Sequence, residues 1–139
     1  MAAPISAAQT TPQQTKAEKE AAALKAREAA EARIDADMVQ MSDVVEALSK
    51  NLGQLHFLRR LCFGDKDQYW RDFAAKMLNI EAEDNPGRQE YLTRAFNAGY
   101  TQEQERFTTC TPNVSVDAAA LAENGRHLAS MLGDPNRDF

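Results

Sequence analysis

Met38, Met41, Val45, Leu48, Leu52 and Leu55 follow one another at alternating steps of three and four residues. That spacing lines large apolar side chains along one stripe of an α-helix, and neighbouring helices must cover the stripe. It predicts a first core helix from about Asp37 to Phe63, closed by Gly64 as a C-cap. Beyond Leu55 the segment loads other faces with Phe57, Leu58, Leu61 and Phe63, so its second half should be surrounded. Arg59 occupies the next apolar slot, and Cys62 resumes the register.

Three further helices follow by the same reasoning. Asp65 or Asp67 is expected to cap a helix with Trp70, Phe73, Ala74, Met77 and Leu78 on one face. Asn85-Pro86-Gly87 breaks the chain. The next helix carries Leu92, Phe96, Tyr100 and Phe107, with Ala95 and Gly99 beside them. A glycine inside a helix costs roughly 1 kcal/mol against alanine, so Gly99 marks either close helix packing or a break near Thr101. Thr111-Pro112-Asn113 is read as the end of that element. Ser115 or Asp117 should cap a last helix bearing Leu121, Ala122, Gly125, Leu128, Ala129 and Leu132, stopped at Gly133-Asp134-Pro135. No stretch alternates strictly in twos. The fold class is all-α, a small antiparallel-type four-helix bundle.

Ahead of the bundle lies an Ala/Gln/Glu-rich arm, residues 1–36. Residues 2–15 have almost nothing to bury and are expected to be disordered. Residues 16–36 have very high helix propensity, but only Leu24 and Ile34 are large and apolar. A solvated helix or linker is expected there; a coiled-coil arm lacks its seam. The bundle domain is placed at 37–133, with 134–139 as a tail.

Charge narrows the function classes. The arm holds five basic and five acidic residues, so the remaining 103 residues carry the whole net charge of −5. Basic residues there are scattered, which argues against a nucleic-acid-binding face. No stretch approaches the length of apolar sequence that a membrane helix needs. The opening Met1-Ala2-Ala3-Pro4-Ile5-Ser6-Ala7-Ala8-Gln9 resembles the spacer that follows a signal cleavage site in exported bacterial proteins. A processed, exported chain is therefore expected.

Cys62 and Cys110 are the two cysteines, each near the end of an expected helix. Two readings stand: a disulfide closing a long loop, which would place the protein outside the cytosol, or two buried thiols packed as small hydrophobes. Zinc held by these cysteines with His56 and His127 lacks the paired ligand spacing of such sites, and no metal or other cofactor is expected. Arg59 either snorkels to solvent or pairs with Glu81, Glu90 or Asp72. Glu81, Glu83 and Asp84 are read as a solvated helix end. The common phosphate-loop, nucleophile-elbow, zincin and dinucleotide motifs are absent from the sequence.

The series Leu55-His56-Phe57-Leu58-Arg59-Arg60-Leu61-Cys62-Phe63-Gly64, Tyr69-Trp70-Arg71, Arg94-Ala95-Phe96-Asn97-Ala98-Gly99-Tyr100 and Cys110 resembles a small family of uncharacterised exported proteins of alphaproteobacteria. That family is a domain of unknown function with two well-separated cysteines, and the resemblance covers about residues 42–132. It implies an N-terminal signal, a periplasmic location and a Cys62–Cys110 disulfide, and no activity. Within it, Trp70, Arg71, Phe96, Asn97 and Tyr100 are candidates for a specific surface or buried polar network, with core packing as the competing role for Trp70, Phe96 and Tyr100; the candidate partner or ligand contacts are Arg59, Arg71, Trp70, Asn97, Tyr100 and His56. The expected function is a non-enzymatic periplasmic interaction module, an adaptor or regulator of a peptidoglycan enzyme, whose partner is another envelope protein. The alternatives are a small-ligand or anion carrier with its site near Arg59 and His56, and an enzyme acting on peptidoglycan through Glu81 or Glu90.

Overall fold

The structure, a computed structural model, describes residues 13–133. Among them there are five α-helices and no strand: α1 (Lys16–Met38), α2 (Val44–Phe63), α3 (Tyr69–Glu81), α4 (Pro86–Arg106) and α5 (Pro112–Met131). The four-helix expectation is thus corrected to five. The expected disorder of residues 2–15 and the expected tail at 134–139 fall almost wholly outside the described residues.

The long first core helix expected from Asp37 is two helices. α1 ends at Met38, and Asp43 starts α2 by accepting the Glu46 N–H at 2.8 Å. Glu46 reaches back to the Ser42 N–H at 2.9 Å. Asp43 caps the helix and Glu46 ties down the residue before it, and together they outweigh an apolar register that continues across the break. Gly64 closes α2 as expected, with φ of 107° and its N–H on the Arg60 carbonyl at 2.8 Å.

α2 is the centre of the molecule. Every residue from Asn51 to Leu58 is buried, because α3, α4 and α5 all pack on it. The directions alternate along the chain from α2 to α5, as an antiparallel bundle requires. The most intimate pair is nevertheless parallel, α2 with α4. Their contacts rise together in number: Asp43 with Arg88, Glu46 with Tyr91, His56 with Tyr100 and Cys62 with Cys110.

Glycine makes this approach possible. A Cβ on Gly53 would lie 1.9 Å from the Phe96 carbonyl oxygen, and one on Gly99 would lie 2.1 Å from that of Lys50. Gly99 therefore marks close packing, and α4 runs through it unbroken to Arg106. On the α5 side, Gly125 leaves room for Asn51, whose side-chain N–H donates to the Leu121 carbonyl at 2.8 Å.

Two starts were misplaced from the sequence. α5 begins at Pro112, where proline fits the first helical position because that N–H needs no partner. Neither Ser115 nor Asp117 caps it, and Asp117 is buried within the helix. α3 begins after Gln68, with Asp67 accepting the Tyr69 N–H at 3.1 Å.

α1 lies against α5 and buries Ala30 and Ile34 there. Arg33 pairs with Asp117 at 2.7 Å, and Arg27 pairs with Glu123 and Glu31. Thr15 and Glu18 form a full capping box at its start. Leu24 remains 60 % exposed, so the first half of α1 adds little to the core.

Cys62 and Cys110 are joined as a disulfide, with Cα atoms 5.1 Å apart and a separation of 48 residues. The bond ties the end of α2 to the segment between α4 and α5. It rules out free thiols and a Cys/His zinc site alike, and His127 is exposed on α5.

Two stability predictions follow from these contacts. Gly53→Ala forces a Cβ into a backbone oxygen that cannot swing aside, and should cost about 3 kcal/mol or more in urea unfolding of the oxidised protein. Gly133→Ala, which meets nothing within 4 Å, is the control and should change stability by about 0.5 kcal/mol or less. Reducing the disulfide, or replacing it by Cys62→Ser with Cys110→Ser, should cost about 4 kcal/mol by the entropy of the loop it closes.

Candidate functional site

α3 packs chiefly on α2, and a cleft opens on each of its flanks. The cleft toward α4 has two continuous parts. Its apolar part, about 260 Å³, is walled by Ala74, Ala75 and Leu78 of α3 and by Leu92 and Phe96 of α4. Its polar part, about 360 Å³, is lined by His56 and Arg60 of α2, Gln68, Arg71, and Asn97 and Tyr100 of α4. Arg71, Phe96 and Asn97 border both parts.

Four of the six residues singled out from the sequence, His56, Arg71, Asn97 and Tyr100, meet in the polar part. They come from three helices, which is why spacing alone does not group them. Helical geometry explains each placement. His56 and Arg60 stand one turn apart on the same face of α2, and Asn97 and Tyr100 three apart on α4. Arg71 lies in the first turn of α3, brought alongside by the short turn after Gly64.

The imidazole of His56 is 5 % exposed and lies against the rings of Phe96 and Tyr100, with centroids 5.7 and 5.6 Å away. Burial, then the guanidinium groups of Arg60 and Arg71, hold its pKa below the ordinary histidine value. Asp67 and Asp72 act in the opposite sense but more weakly. Arg60 donates to the Tyr100 hydroxyl at 2.7 Å and stands 3.7 Å from exposed Asp65. Its Nε and the His56 Nδ1 are buried without a hydrogen-bond partner among the described residues. Arg71 is exposed and, among the described residues, donates one long hydrogen bond, 3.4 Å, to the Gln68 side-chain oxygen.

The other two singled-out residues lie elsewhere. Arg59 donates to both carboxylate oxygens of Asp67, at 2.9 and 2.8 Å, and sits 4.8 Å from the ring centroids of Phe63 and Tyr69. The expected partners Glu81, Glu90 and Asp72 are replaced by Asp67, because the turn at Gly64 folds Asp67 back onto the last turns of α2. Trp70 faces the second cleft, about 280 Å³, between α3 and α5. It packs edge-on to Tyr69 and Phe73, at 4.8 and 6.3 Å. Phe73, expected in the core, is 48 % exposed on that rim.

A buried polar node was not foreseen. Glu103, 1 % exposed, accepts from Gln54 at 3.1 Å and from Arg106 at 2.9 Å. Arg106 also donates to Asp117 at 2.6 Å, and Asp117 holds Arg33 of α1. The signal was present in the pattern. Glu103 continues the face Leu92, Phe96, Gly99, and Asp117 sits in the face Val114, Leu121, Leu128. Burial raises the pKa of Glu103, against the pull of Arg106. Glu90, by contrast, is exposed and pairs with Arg94 at 3.8 Å, and Glu83 and Asp84 are exposed at the end of α3. Among the described residues no group of three or more metal-ligating side chains occurs. No described helix is long and apolar enough to cross a membrane.

Fold and site together define a small disulfide-tied all-α protein with an open, basic-ended cleft. A family model described as "Protein of unknown function (DUF2385)" matches residues 41–134, and the chain belongs to that family. No curated protein and no solved structure matches the chain.

The two shifted groups give opposite pH signatures. The pKa of His56 is lower in the folded state, so its contribution is present above about pH 6.5 and is lost as acid protonates the unfolded chain first. His56→Gln should flatten the fall in stability between pH 7 and pH 5.5. The pKa of Glu103 is raised, so ionising it costs folding stability as pH rises through its folded value. The stability difference of Glu103→Gln over the parent should therefore grow from pH 4.5 to pH 7.5 in urea titrations.

Proposed function

We propose that this protein is a non-enzymatic binding module of the bacterial periplasm, and that it holds another envelope protein in the cleft between α3 and α4. The observation that carries this reading is the composition of that cleft. Imidazole, guanidinium, amide and phenol groups converge from three helices at one end, and an apolar trough runs on from them. A few polar groups set against apolar walls recognise and orient a ligand. The Cys62–Cys110 bond supports an oxidising compartment, where such bonds persist. A cell-wall enzyme, for which the module would act as adaptor or regulator, is the partner this reading favours.

Site-specific photocrosslinking tests it. Ala75 is exposed within the cleft wall, and Ala32 is exposed on α1, away from it. A benzophenone side chain at position 75, in envelopes of the source cells, should give a defined protein adduct that position 32 does not. The same adducts from both positions, or none from position 75, would overturn the reading.

A further inference from the structure

We propose that the polar end of this cleft is a carboxylate-binding pocket, built from Arg71, Arg60, His56, Asn97 and Tyr100, that takes the acidic terminus of an apolar peptide segment. The inference rests on the binding role given above to the same cleft, and names the chemistry recognised there.

The charge around the pocket favours an anion. His56 feels Arg60 and Arg71 more strongly than it feels Asp67 and Asp72. Asp67 is already held by both of its oxygens on Arg59, which withdraws it from the pocket. Asp65, near Arg60, is at the long distance of 3.7 Å and 93 % exposed, so solvent weakens that pair. Arg71 has no carboxylate within 4 Å among the described residues, and its one contact is to an amide oxygen. A guanidinium in that state has its paired N–H donors available for a planar, two-oxygen acceptor.

Unmet donors point the same way. Arg60 Nε is buried beside the pocket without an acceptor among the described residues, and a buried unsatisfied donor is stabilised by an arriving acceptor. Arg60 is 30 % exposed and donates to the Tyr100 hydroxyl, which holds its guanidinium at the pocket. The Asn97 side chain is exposed at the junction of the two parts, where it can meet a backbone amide.

The apolar part selects the occupant. Ala74, Ala75, Leu78, Leu92 and Phe96 form a trough that begins where the polar part ends. Small alanines on one wall leave space for a partner's side chains. The cleft is open along its length, and Gln68, Thr93 and Asn97 line it with hydrogen-bonding side chains. A fatty acid gains most from an enclosed apolar channel. An extended peptide gains from an open trough with amides along it, so the peptide is the better match.

The test uses the oxidised full chain and a synthetic library of hexapeptides made twice, once with free C-terminal carboxylates and once as amides. Retained peptides are titrated by fluorescence anisotropy against the parent, Arg71→Gln and Lys76→Gln. Lys76 is exposed on α3 and lies outside the cleft lining, so its variant removes the same charge elsewhere. Peptides with apolar residues and a free carboxylate should be retained, with the amides and Arg71→Gln each weaker by about tenfold or more. Lys76→Gln should stay within about twofold of the parent. Equal binding of acids and amides, equal losses in the two variants, or an empty library would overturn the proposal. Octanoate binding to the parent, read by calorimetric titration, when no peptide is retained would overturn it too, in favour of a lipid. A crosslink at position 75 without peptide retention would sink only the carboxylate pocket. Peptide retention without a crosslink would sink the envelope partner alone.

Discussion

Everything in this fold hangs on how closely α4 can approach α2. At the crossing the two backbones nearly touch: Gly53 faces the Phe96 carbonyl and Gly99 faces that of Lys50, with no room for a Cβ on either side. Dispersion attraction falls steeply with distance, so a gap of even 1 Å would forfeit much of the contact along both helices. The close approach also dictates what the neighbours do. With α4 seated on one flank, α3 and α5 take the others, and the middle of α2 is enclosed. The cleft inherits its geometry from the same contact, because α4 sits low against α2 while α3 stands beside it, and the trough is the space left between.

The helical periodicity of the chain carried most of this architecture. The stripes ending in Leu55, Leu78 and Leu132 do reach the core, wholly or in part, and Gly64 does end α2. The break before α2 was legible too, in Asp43 and Glu46 three residues apart, but an apolar register spanning the break hid it. Pro112 misled in a related way, since proline after a polar residue marks an end as readily as a beginning. That the second half of α2 is enclosed was legible, in Phe57 and Leu58 on its other faces, but that α4 is its most intimate neighbour was not. That depends on the pairing of glycines in separate segments, and a lone glycine such as Gly99 reads equally as a break or a contact.

The cleft was legible only as parts. Arg71, Asn97, Tyr100 and His56 stood out one by one, and the turn after Gly64 that gathers them is a tertiary fact. Arg59 shows the limit clearly. An arginine in an apolar slot announces that it needs a partner, and the acid that meets it, Asp67, reads from the sequence as a helix cap. From the sequence Asp117 reads as a helix cap and Glu103 as part of a polar stretch after Tyr100, because polar residues on an apolar face look like interruptions. Here they join α1, α4 and α5 through Arg106 and Arg33. Partnered this way, buried charges are tolerated and penalise alternative packings that would strand them.

The disulfide has a meaning beyond the energy of the loop it closes. α2 and α4 are parallel neighbours held at the glycine crossing, and Cys62–Cys110 ties α2 again, about two and a half turns further along, to the segment that leaves α4. One fastening leaves a pair of helices free to pivot about it, and two do not. His56, Arg60 and Tyr100 lie on the span between them. These three side chains are thus carried on a beam clamped at both ends, whereas α3, the other wall of the cleft, packs chiefly on α2 and carries no cysteine to tie it.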